Sequence, residues 1–424
     1  MSFSEKLSNS YLWEKRKLVE ITKKIGSGAT PRGGKGAYKE RGIPFIRSQN
    51  IYNCKFNSDG LVYINDEQAV KLNNVKLEKN DVLINITGDS VARCTKLPNE
   101  FIDGRVNQHV AIIRCNEKFI DSDYLKYYLV NKETQMFLLS LAGSGATRAA
   151  LTKSMLENIE ISLPYIEEQK AIAKILSDLD EKIEVNNKIN KNLEEMAQAI
   201  FKQWFVDFEF PNEEGKPYKS SGGEMVESEL GMIPKGWKIF KLGDFIKFIK
   251  GKKPKKIEEK FFDGCELYLT IDVLNRNSEI FANKDKIIEV NDDDILMVMD
   301  GASSGSLYYG LNGILGSTLA KISVLNTIDK SFLYYYLKLN ESSIKSHLTG
   351  SAIPHTDKEF INKLCLAIPN DEMILKKADT ILNNIRNHTI NLNTECSKIK
   401  KVRDNLLPKL MSGEIRVPLE NNEN

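Results

Sequence analysis

Apolar residues follow the same order of patterns in both halves of the chain. Short runs rich in β-branched residues and bounded by Gly, Asn or Asp predict β strands. These runs are residues 42–46, 81–86 and 109–113 in the first half and 295–299 in the second. A tract with helical spacing follows at 122–130 and again at 331–337, and each is opened by Asp or Ser residues suited to an N-cap. Each half therefore predicts a mixed α/β domain.

A different period follows Pro164 and again Pro369, where apolar positions alternate at spacings of four and three. This is the a/d seam of a coiled coil. The predicted seam comprises Ile172, Leu176, Leu179, Ile183, Asn186, Asn190, Leu193, Ala197, Ile200 and Trp204 in the first tract and Ile374, Ala378, Ile381, Ile385, His388, Leu392, Glu395, Ile399, Val402 and Leu406 in the second. Pro408 and then Gly413 are predicted to end the second tract. Each helix would be roughly 55–60 Å long.

The phrase Asp81–Ser90 returns as Asp294–Ser303, which indicates an internal duplication. Further matched positions are Leu18 with Leu242, Asn50-Ile51 with Asp272-Val273, Ala111 with Ala320, Tyr124-Leu125 with Phe332-Leu333, and Leu163-Pro164 with Ile368-Pro369. A duplicated chain has the pseudo-symmetry of a dimer, and this symmetry suits a two-fold object such as duplex DNA. The predicted fold class is α+β, with two pseudo-symmetric domains joined by a pair of long antiparallel coiled-coil helices.

Composition places the chain among ordinary globular proteins. It has 424 residues, of which 41% are hydrophobic and 28% charged, enough for two or three domains. No apolar run approaches the length of a membrane span, so we expect no membrane association and a cytoplasmic location. Six cysteines without a CxxC pair or a Cys/His cluster indicate neither a zinc site nor a disulfide framework.

The net charge of +2 does not by itself call for nucleic acid, so any DNA contact must come from local patches. The clearest patch is the lysine-rich segment 247–256, whose counterpart in the first half is the glycine-rich segment 23–35. A lysine run alone is more often a solvated loop. Its recurrence at the equivalent place in both halves favours a phosphate-binding role instead.

Signatures of catalysis are missing from the sequence. Residues 28–36 resemble a phosphate-binding loop, but the spacing is one residue too long and Lys35 precedes a glycine instead of Ser or Thr. The four histidines have neither HExxH nor HxE spacing, and no GxSxG elbow or amino-methyltransferase tetrapeptide occurs. We therefore expect a chain that is not an enzyme by itself.

Several phrases resemble the specificity subunit of a type I restriction-modification enzyme, and the resemblance covers essentially the whole chain. They are Gly28-Ala29-Thr30-Pro31, Ile43-Pro44-Phe45-Ile46-Arg47, Leu163-Pro164 with Glu167-Glu168-Gln169-Lys170, Ile233-Pro234-Lys235-Gly236-Trp237, and Leu406-Leu407-Pro408-Lys409-Leu410. The second helix departs from the pattern because Pro369-Asn370-Asp371-Glu372 has no Glu-Gln-Lys phrase. This departure weakens any claim that two docking sites for partner subunits are equivalent.

The resemblance implies a division of labour between domains and partners. It implies a first target-recognition domain at 1–163, a conserved helix at 164–210, a linker and second target-recognition domain at 211–369, and a second helix with a tail at 370–424. Each recognition domain would read one half of a bipartite asymmetric site in double-stranded DNA, with the helices setting the spacing. Two methyltransferase subunits would dock on the helices and carry S-adenosylmethionine, and separate restriction motor subunits would use ATP and Mg. No cofactor is expected on this chain.

Side chains that can read base edges or bind phosphates occur in the predicted loops. The candidates are Arg32, Lys35, Arg47, Gln49, Asn50, Arg93, Asn107, Gln108 and Arg148 in the first half, and Lys252, Lys253, Lys255, Thr270, Asp272, Ser304, Ser317 and Thr318 in the second. Each residue alone is more often a surface or loop-capping residue. The two sets differ in chemistry, which predicts two unlike half-sites.

Two other functional classes fit parts of the pattern. A coiled-coil scaffold that binds protein partners would share the duplication and the near-neutral charge, but its binding would not depend steeply on salt. A self-contained restriction enzyme is disfavoured by the length and by the missing methyltransferase motifs.

Overall fold

The chain folds into two units, and both boundaries between them fall inside a long helix. The computed structural model describes residues 13–143, 149–276, 278–284, 287–325, 328–350 and 352–418. The first unit combines Met1–Asn186 with Asn393–Asn424, and the second is Asn187–Leu392. Each unit therefore contains part of both long helices.

The described part of the first unit contains short strands and mostly short helices. The strands are β1 (Glu14–Lys17), β2 (Thr22–Ser27), β3 (Ile43–Ile46), β4 (Ile51–Tyr52), β5 (Lys55–Phe56), β6 (Val62–Ile64), β7 (Val82–Asn85), β8 (Cys94–Lys96), β9 (Arg105–Val106), β10 (Val110–Cys115) and β11 (Glu160–Leu163). The helices are α1 (Asp66–Lys71), α2 (Ser122–Val130), α3 (Lys132–Gly143), α4 (Lys153–Glu157) and the start of α5 (Ile166–Phe205).

A four-stranded antiparallel sheet, in the order β2-β10-β7-β8, forms the middle layer of the first unit. Because side chains alternate across a strand, Val82 and Ile84 pack in one core and Leu83 in another. The first core includes α2 residues and the beginning of α5, and the second includes a small sheet of order β6-β3-β9. The sheet thus has a helical layer on one face and a loop-rich layer on the other.

The second unit repeats this arrangement. Its strands are β12 (Met225–Ser228), β13 (Gly231–Pro234), β14 (Trp237–Lys241), β15 (Ile246–Lys250), β16 (Ile257–Glu258), β17 (Cys265–Leu269), β18 (Phe281–Asn283), β19 (Glu289–Val290), β20 (Ile295–Val298), β21 (Leu307–Tyr309), β22 (Gly313–Leu315), β23 (Leu319–Val324) and β24 (Cys365–Pro369). Its helices are α6 (Ile271–Leu274), α7 (Lys330–Leu339), α8 (Glu341–Ser346), α9 (Lys358–Lys363) and the start of α10 (Glu372–Ser412).

The main sheets of the two units have the same strand order, since β15-β23-β20-β21 answers β2-β10-β7-β8. The predicted fold class, with two repeated mixed domains and two long helices, is confirmed. One predicted match is off by one residue. The parallel ladders pair Ile46 with Val106 and Leu269 with Leu315, which aligns Asn50 with Val273 instead of Asp272. Strand pairing fixes this register, whereas the sequence match relied on one apolar residue.

Residues between Pro211 and Trp237 have the composition of an exposed loop, yet the structure forms a β12–β13 hairpin there. The segment is anchored by aromatic contacts, because Tyr218 stacks on Phe210 with ring centroids 4.7 Å apart. Phe210 also stacks on Trp237 at 5.3 Å. Largely exposed strands of this kind leave little hydrophobic periodicity in the sequence.

Helix α10 continues through Pro408 to Ser412, so the predicted end at Pro408 is wrong. Proline removes one helical hydrogen bond, but Leu407, Leu410 and Met411 pack in the first unit's core and offset that loss. The helix ends at Gly413, whose φ of +76° is typical of a C-terminal glycine.

All ten predicted seam positions on α5 are buried or half-buried. On α10 the buried positions depart from the predicted seam. On α10, Val402 is 48% exposed and His388 is exposed, whereas Leu382, Cys396 and Leu407 are buried. A straight α helix drifts by about 20° per heptad, so the buried stripe moves one position toward the C-terminus.

Contacts in the first unit show that the two helices run antiparallel, as predicted. Glu168 pairs with Arg416, which lies just beyond the end of α10, at 2.6 Å. Farther along α5, Asp180 pairs with Arg403 at 2.6 Å and Asn186 donates to Glu395 at 2.8 Å. Rising numbers on one helix thus meet falling numbers on the other.

Candidate nucleic-acid interface

Loops that follow three strands of the first unit are tied together by main-chain hydrogen bonds. The N–H of Gly28 donates to the carbonyl of Val110 at 2.8 Å, and that of Asn107 donates to Ile46 at 3.0 Å. A Cβ at Gly28 would lie 2.1 Å from the carbonyl oxygen of Val106, so only glycine permits this approach. The loops at 28–32, 47–50 and 106–109, which carry several of the candidate residues, therefore meet at one end of the unit.

The second unit has the same pattern of main-chain hydrogen bonds between its loops. We call this shared pattern the backbone frame. Gly251 donates to Leu319 at 3.0 Å, as Gly28 does to Val110. Two further pairs of bonds correspond: Ile86 to His109 with Met299 to Thr318, and Gly88 to Ala149 with Gly301 to Pro354. These bonds align Thr87 with Asp300, His109 with Thr318, and Ala150 with His355.

Side chains on this common frame differ between the units. In the first unit, Thr87 Oγ1 lies 2.6 Å from His109 Nδ1, and the Thr30 hydroxyl donates to Gln108. In the second unit, Asp300 accepts from Lys250 Nζ at 2.9 Å and lies 2.7 Å from His355 Nδ1. One scaffold thus carries two different polar surfaces.

Asp300 is set apart electrostatically from its neutral counterpart Thr87. Partial burial would raise the pKa of its carboxyl, but hydrogen bonds from Lys250 and His355 outweigh burial and lower the pKa. Asp300 is therefore ionised at neutral pH and accepts hydrogen bonds only.

Two predicted residues of the first unit share one hydrogen-bond acceptor. The guanidinium of Arg47 and the amide of Gln49 both donate to the carbonyl of Gly60, at 2.7 and 3.3 Å. Arg93 lies over the ring of Tyr52, with its guanidinium carbon 4.9 Å from the centroid. Arg32, Gln49 and Gln108 are exposed. The side chain of Lys35 and the whole of Arg148 lie outside the described residues.

In the second unit, Lys252, Lys253 and Lys255 follow β15 and are exposed, as are Asp272 and Thr318. Thr270 caps α6 by accepting from the N–H of Val273 at 3.4 Å. Ser317 is held by the hydroxyl of Tyr268, which accepts from its N–H at 3.0 Å. Ser317 and Thr318 lie on one loop of the frame, and Lys252 and Lys253 directly follow Gly251, whose N–H makes the frame bond to Leu319.

Three candidate side chains hold loops and do not face solvent. Asn50 is fully buried and donates to the carbonyl of Asn57 at 2.9 Å. Asn107 is 7% exposed and accepts from the N–H of His109, and Ser304 is 1% exposed and donates to Pro354. At least one polar atom of each side chain is bonded within the chain, so all three help to hold the loops.

The sequence reasoning missed Asp300 and the two histidines of this end, whereas Lys250 lies in the predicted lysine-rich segment 247–256. Asp300 and His355 are 55 residues apart, so no local spacing connects them. A signal was present in the repeat, because Thr87 and Asp300 each precede the glycine of the duplicated phrase. An unlike residue at that point of a repeat marks a surface where the copies diverge.

No cluster of three His, Cys, Asp or Glu side chains suited to a metal ion occurs in the described part of the chain. Among the same residues, no helix is long and apolar enough to cross a membrane.

Known proteins are similar to this chain along most of its length. The sequence matches the type I restriction modification DNA specificity domain over residues 11–195 and 234–401, one match in each repeat. It is 28% identical to the type I restriction enzyme MjaIX specificity subunit of Methanocaldococcus jannaschii, covering 96% of this chain and 94% of that protein. It is 23% identical to the type I restriction enzyme HindI specificity subunit of Haemophilus influenzae, covering 95% and 99%.

The fold is also shared with a solved structure. The crystal structure of a type I restriction-modification S subunit from M. genitalium matches with a TM-score of 0.57 and 18% identity over 95% of this chain and 96% of that one. With the family match extending over both repeats, the chain belongs to the family of type I restriction-modification specificity subunits.

Proposed function

We propose that each unit reads one half of a bipartite, asymmetric site in double-stranded DNA. The observation that carries this proposal is the shared backbone frame with unlike side chains at its loop end. Thr87 with His109 occupies the place in the first unit that Asp300 with His355 and Lys250 occupies in the second. Because hydrogen-bonding groups distinguish base edges, two unlike sets on one frame would select two unlike sequences.

The long helices support the spacing role in this proposal. Helix α5 has 40 residues and α10 has 41, so each would span about 60 Å. We propose that their length sets the distance between the two half-sites. The recognition domains at 1–163 and 211–369 and the helical regions at 164–210 and 370–424 are part of this proposal.

Exposed apolar side chains on α5 support a docking role for the helix. Ile189 and Met196 are 36% and 54% exposed and lie one heptad apart. Such a stripe favours burial against a partner's helices. We propose that two methyltransferase subunits dock here and carry S-adenosylmethionine, that restriction motor subunits use ATP and Mg, and that this chain itself is non-catalytic and cytoplasmic.

Methylation-sensitive sequencing tests the proposal directly. DNA from cells with and without the gene should differ by the loss of one bipartite motif, and exchanging residues 1–163 for those of a relative should change only one half of it. An unchanged methylation pattern after gene deletion would contradict the proposal.

Salt dependence distinguishes a DNA reader from a protein scaffold. Lys252, Lys253 and Arg32 are exposed, and cations that neutralise phosphates release counterions on binding. The complex of this chain with its methyltransferase should therefore lose DNA affinity steeply between 50 and 200 mM salt, by roughly 10³-fold for about six phosphate contacts. A scaffold for protein partners would show no such loss.

A further inference from the structure

Two of the chain's four histidines lie beside equivalent residues of the two units, although the histidines themselves are not aligned in the repeat. His109 belongs to the loop between β9 and β10, and its repeat counterpart is Thr318. His355 belongs to the segment between α8 and α9, and its counterpart is Ala150. The two rings approach the same frame position from its two sides.

That position is Thr87 in the first unit and Asp300 in the second. Thr87 bridges to Ala150 on one side and contacts His109 on the other. Asp300 bridges to His355 directly. Each unit thus has an imidazole beside the same frame position, supplied from a different segment of the repeat.

Both rings are held through Nδ1. Thr87 Oγ1 lies 2.6 Å from Nδ1 of His109, and Asp300 Oδ1 lies 2.7 Å from Nδ1 of His355. Among the described residues, Nε2 of neither ring has a hydrogen-bond partner, and the side chain of His355 is 49% exposed. A ring that is oriented through Nδ1 and whose Nε2 is unbonded can form a hydrogen bond with a ligand.

The backbone beneath each ring is also fixed. His109 donates its N–H to Asn107 Oδ1 at 3.1 Å and accepts from Ile86 at 2.9 Å. His355 exchanges two main-chain bonds with Thr349, at 2.8 and 2.9 Å. A Cβ on Gly350 would lie 2.9 Å from the ring of His355, so that glycine makes room for the ring. Such preorganisation is expected of a reading residue and is unnecessary for a surface residue.

We propose that His109 and His355 are specificity-determining residues, each presenting Nε2 to a base edge in the half-site that its own unit reads. This inference rests on the proposed function and adds the residues that select one base in each half-site. The partner of Nδ1 sets the polarity of Nε2. Asp300 is an acceptor only, so it keeps the proton on Nδ1 and leaves Nε2 of the neutral ring as an acceptor. That ring would read the amino group of adenine or cytosine.

The first unit differs because a hydroxyl can donate or accept. When Thr87 donates to Nδ1, the proton of His109 lies on Nε2, which then donates to guanine N7 or O6, adenine N7 or thymine O4. The same ring on the same frame can therefore select different bases. Whether the residue beside Nδ1 is a threonine, as at Thr87, or an aspartate, as at Asp300, decides which bases the ring selects.

Asparagine substitutions test the inference in the assembled complex with the methyltransferase. In His109→Asn and His355→Asn, the shorter side chain can bond to Thr87 or Asp300 but carries nothing at the position of Nε2. We expect each variant to relax one base position in one half-site, with preference there falling roughly 10-fold, while the other half-site stays unchanged. Affinities for duplexes varied at single positions, with sequencing of methylated motifs, give the readout.

The control is His388→Asn, because His388 is an exposed histidine on α10, away from the frame. It should leave both half-sites unchanged. Asp300→Ala is a second variant that frees the ring of His355 and should relax the same position. The intact half-site in each variant shows that the chain is folded and assembled.

Two results would overturn the inference. Unchanged motifs in both asparagine variants would exclude a base contact, and uniform weakening over all sequences would assign the rings to phosphates. Failure of the proposed function would look different, because the unsubstituted complex would then show no bipartite preference.

Discussion

The guanidinium of Arg403 on α10 lies 2.6 Å from the carboxylate of Asp180 on α5, and Tyr127 donates to the same carboxylate at 2.7 Å. Asp180 of α5 therefore ties α2 of the first unit to α10. The two charged side chains are only 20% and 23% exposed, so solvent screens them weakly. Burial would lower the pKa of Arg403, but its hydrogen bond and charge interaction with Asp180 outweigh burial and raise it.

Replacement of Arg403 by methionine tests this link. The variant leaves a half-buried carboxylate without its cation, so the free energy of unfolding should fall by roughly 1–3 kcal/mol. Urea denaturation of the full chain measures the loss. Lys174→Met is the matched control, because its pair with Asp178 is 74% and 55% exposed and should contribute about 0.5 kcal/mol or less. Equal effects of both variants would contradict a special role for Arg403.

Asp294 makes the stability of the second unit depend on acid. Burial would raise the pKa of its carboxyl, but the N–H of Asn291 and the amines of Lys321 and Lys330 outweigh burial and lower it. A lowered folded pKa adds stability that is complete above the ordinary value of 3.8 and is lost as pH falls through the folded value. The unfolding free energy should therefore decline below about pH 4 more steeply in the native chain than in Asp294→Asn.

At neutral pH, Asp294→Asn should cost roughly 2–3 kcal/mol, because two lysines lose a buried partner. Asp293→Asn is the control, since Asp293 contacts the same Lys330 but is 56% exposed. It should change stability by less than about 0.5 kcal/mol. An acid profile of Asp294→Asn that matches the native one would refute the assignment.

Asp379 on α10 should show the opposite dependence. Burial, together with the charge of Asp329, raises the pKa of its carboxyl to about 7, and Oδ1 has no partner among the described residues. The unfolded chain loses this proton at lower pH, so stability should decrease between about pH 4 and 7 and level off above. Asp379→Asn should therefore stabilise the chain at pH 8, by roughly 1–2 kcal/mol after allowance for partial exposure.

That gain should vanish near pH 3.5, where both chains carry a neutral side chain at this position. Thermal unfolding at the two pH values provides the measurement. Asp263→Asn, in an exposed loop, should be neutral at both. A destabilised Asp379→Asn at pH 8 would show that the carboxylate has a favourable partner instead.

Helix length should set the permitted spacer in the DNA target. Removing seven residues from each long helix at matched positions shortens the pair by about 10 Å, equivalent to roughly 3 base pairs. The methylated motif should keep both half-sites and lose about that much spacer. Swapping residues within a heptad, without deletion, is the control. An unchanged spacer would contradict the proposal that helix length sets the distance between the half-sites.

Local sequence patterns were sufficient for the repeated domains and the two helices. Val82–Ile86 and Ile295–Met299 are apolar runs long enough to identify buried strands, and the α5 seam repeats over ten positions. These features depend on neighbours within a few residues, which the chain's periodicity records. The family resemblance rested on phrases of the same local kind.

Other features depend on residues brought together from a distance. The α10 seam shifts from Val402 toward Arg403 because helix geometry drifts against a strict heptad and because Asp180 lies opposite. Asn50 has a base-reading side chain but is buried by loop contacts that composition does not reveal.

Short-range periodicity and recurring phrases of the sequence were sufficient for the duplication, the main buried strands, the two long helices and the family, but not for the β12–β13 hairpin. Which polar side chains share a surface depends on contacts between distant parts of the chain. His109 reaches Thr87 across 22 residues and His355 reaches Asp300 across 55. The reason is physical: strand pairing joins segments distant in the chain, so chemistry at the ends of strands is assembled only when the sheet forms.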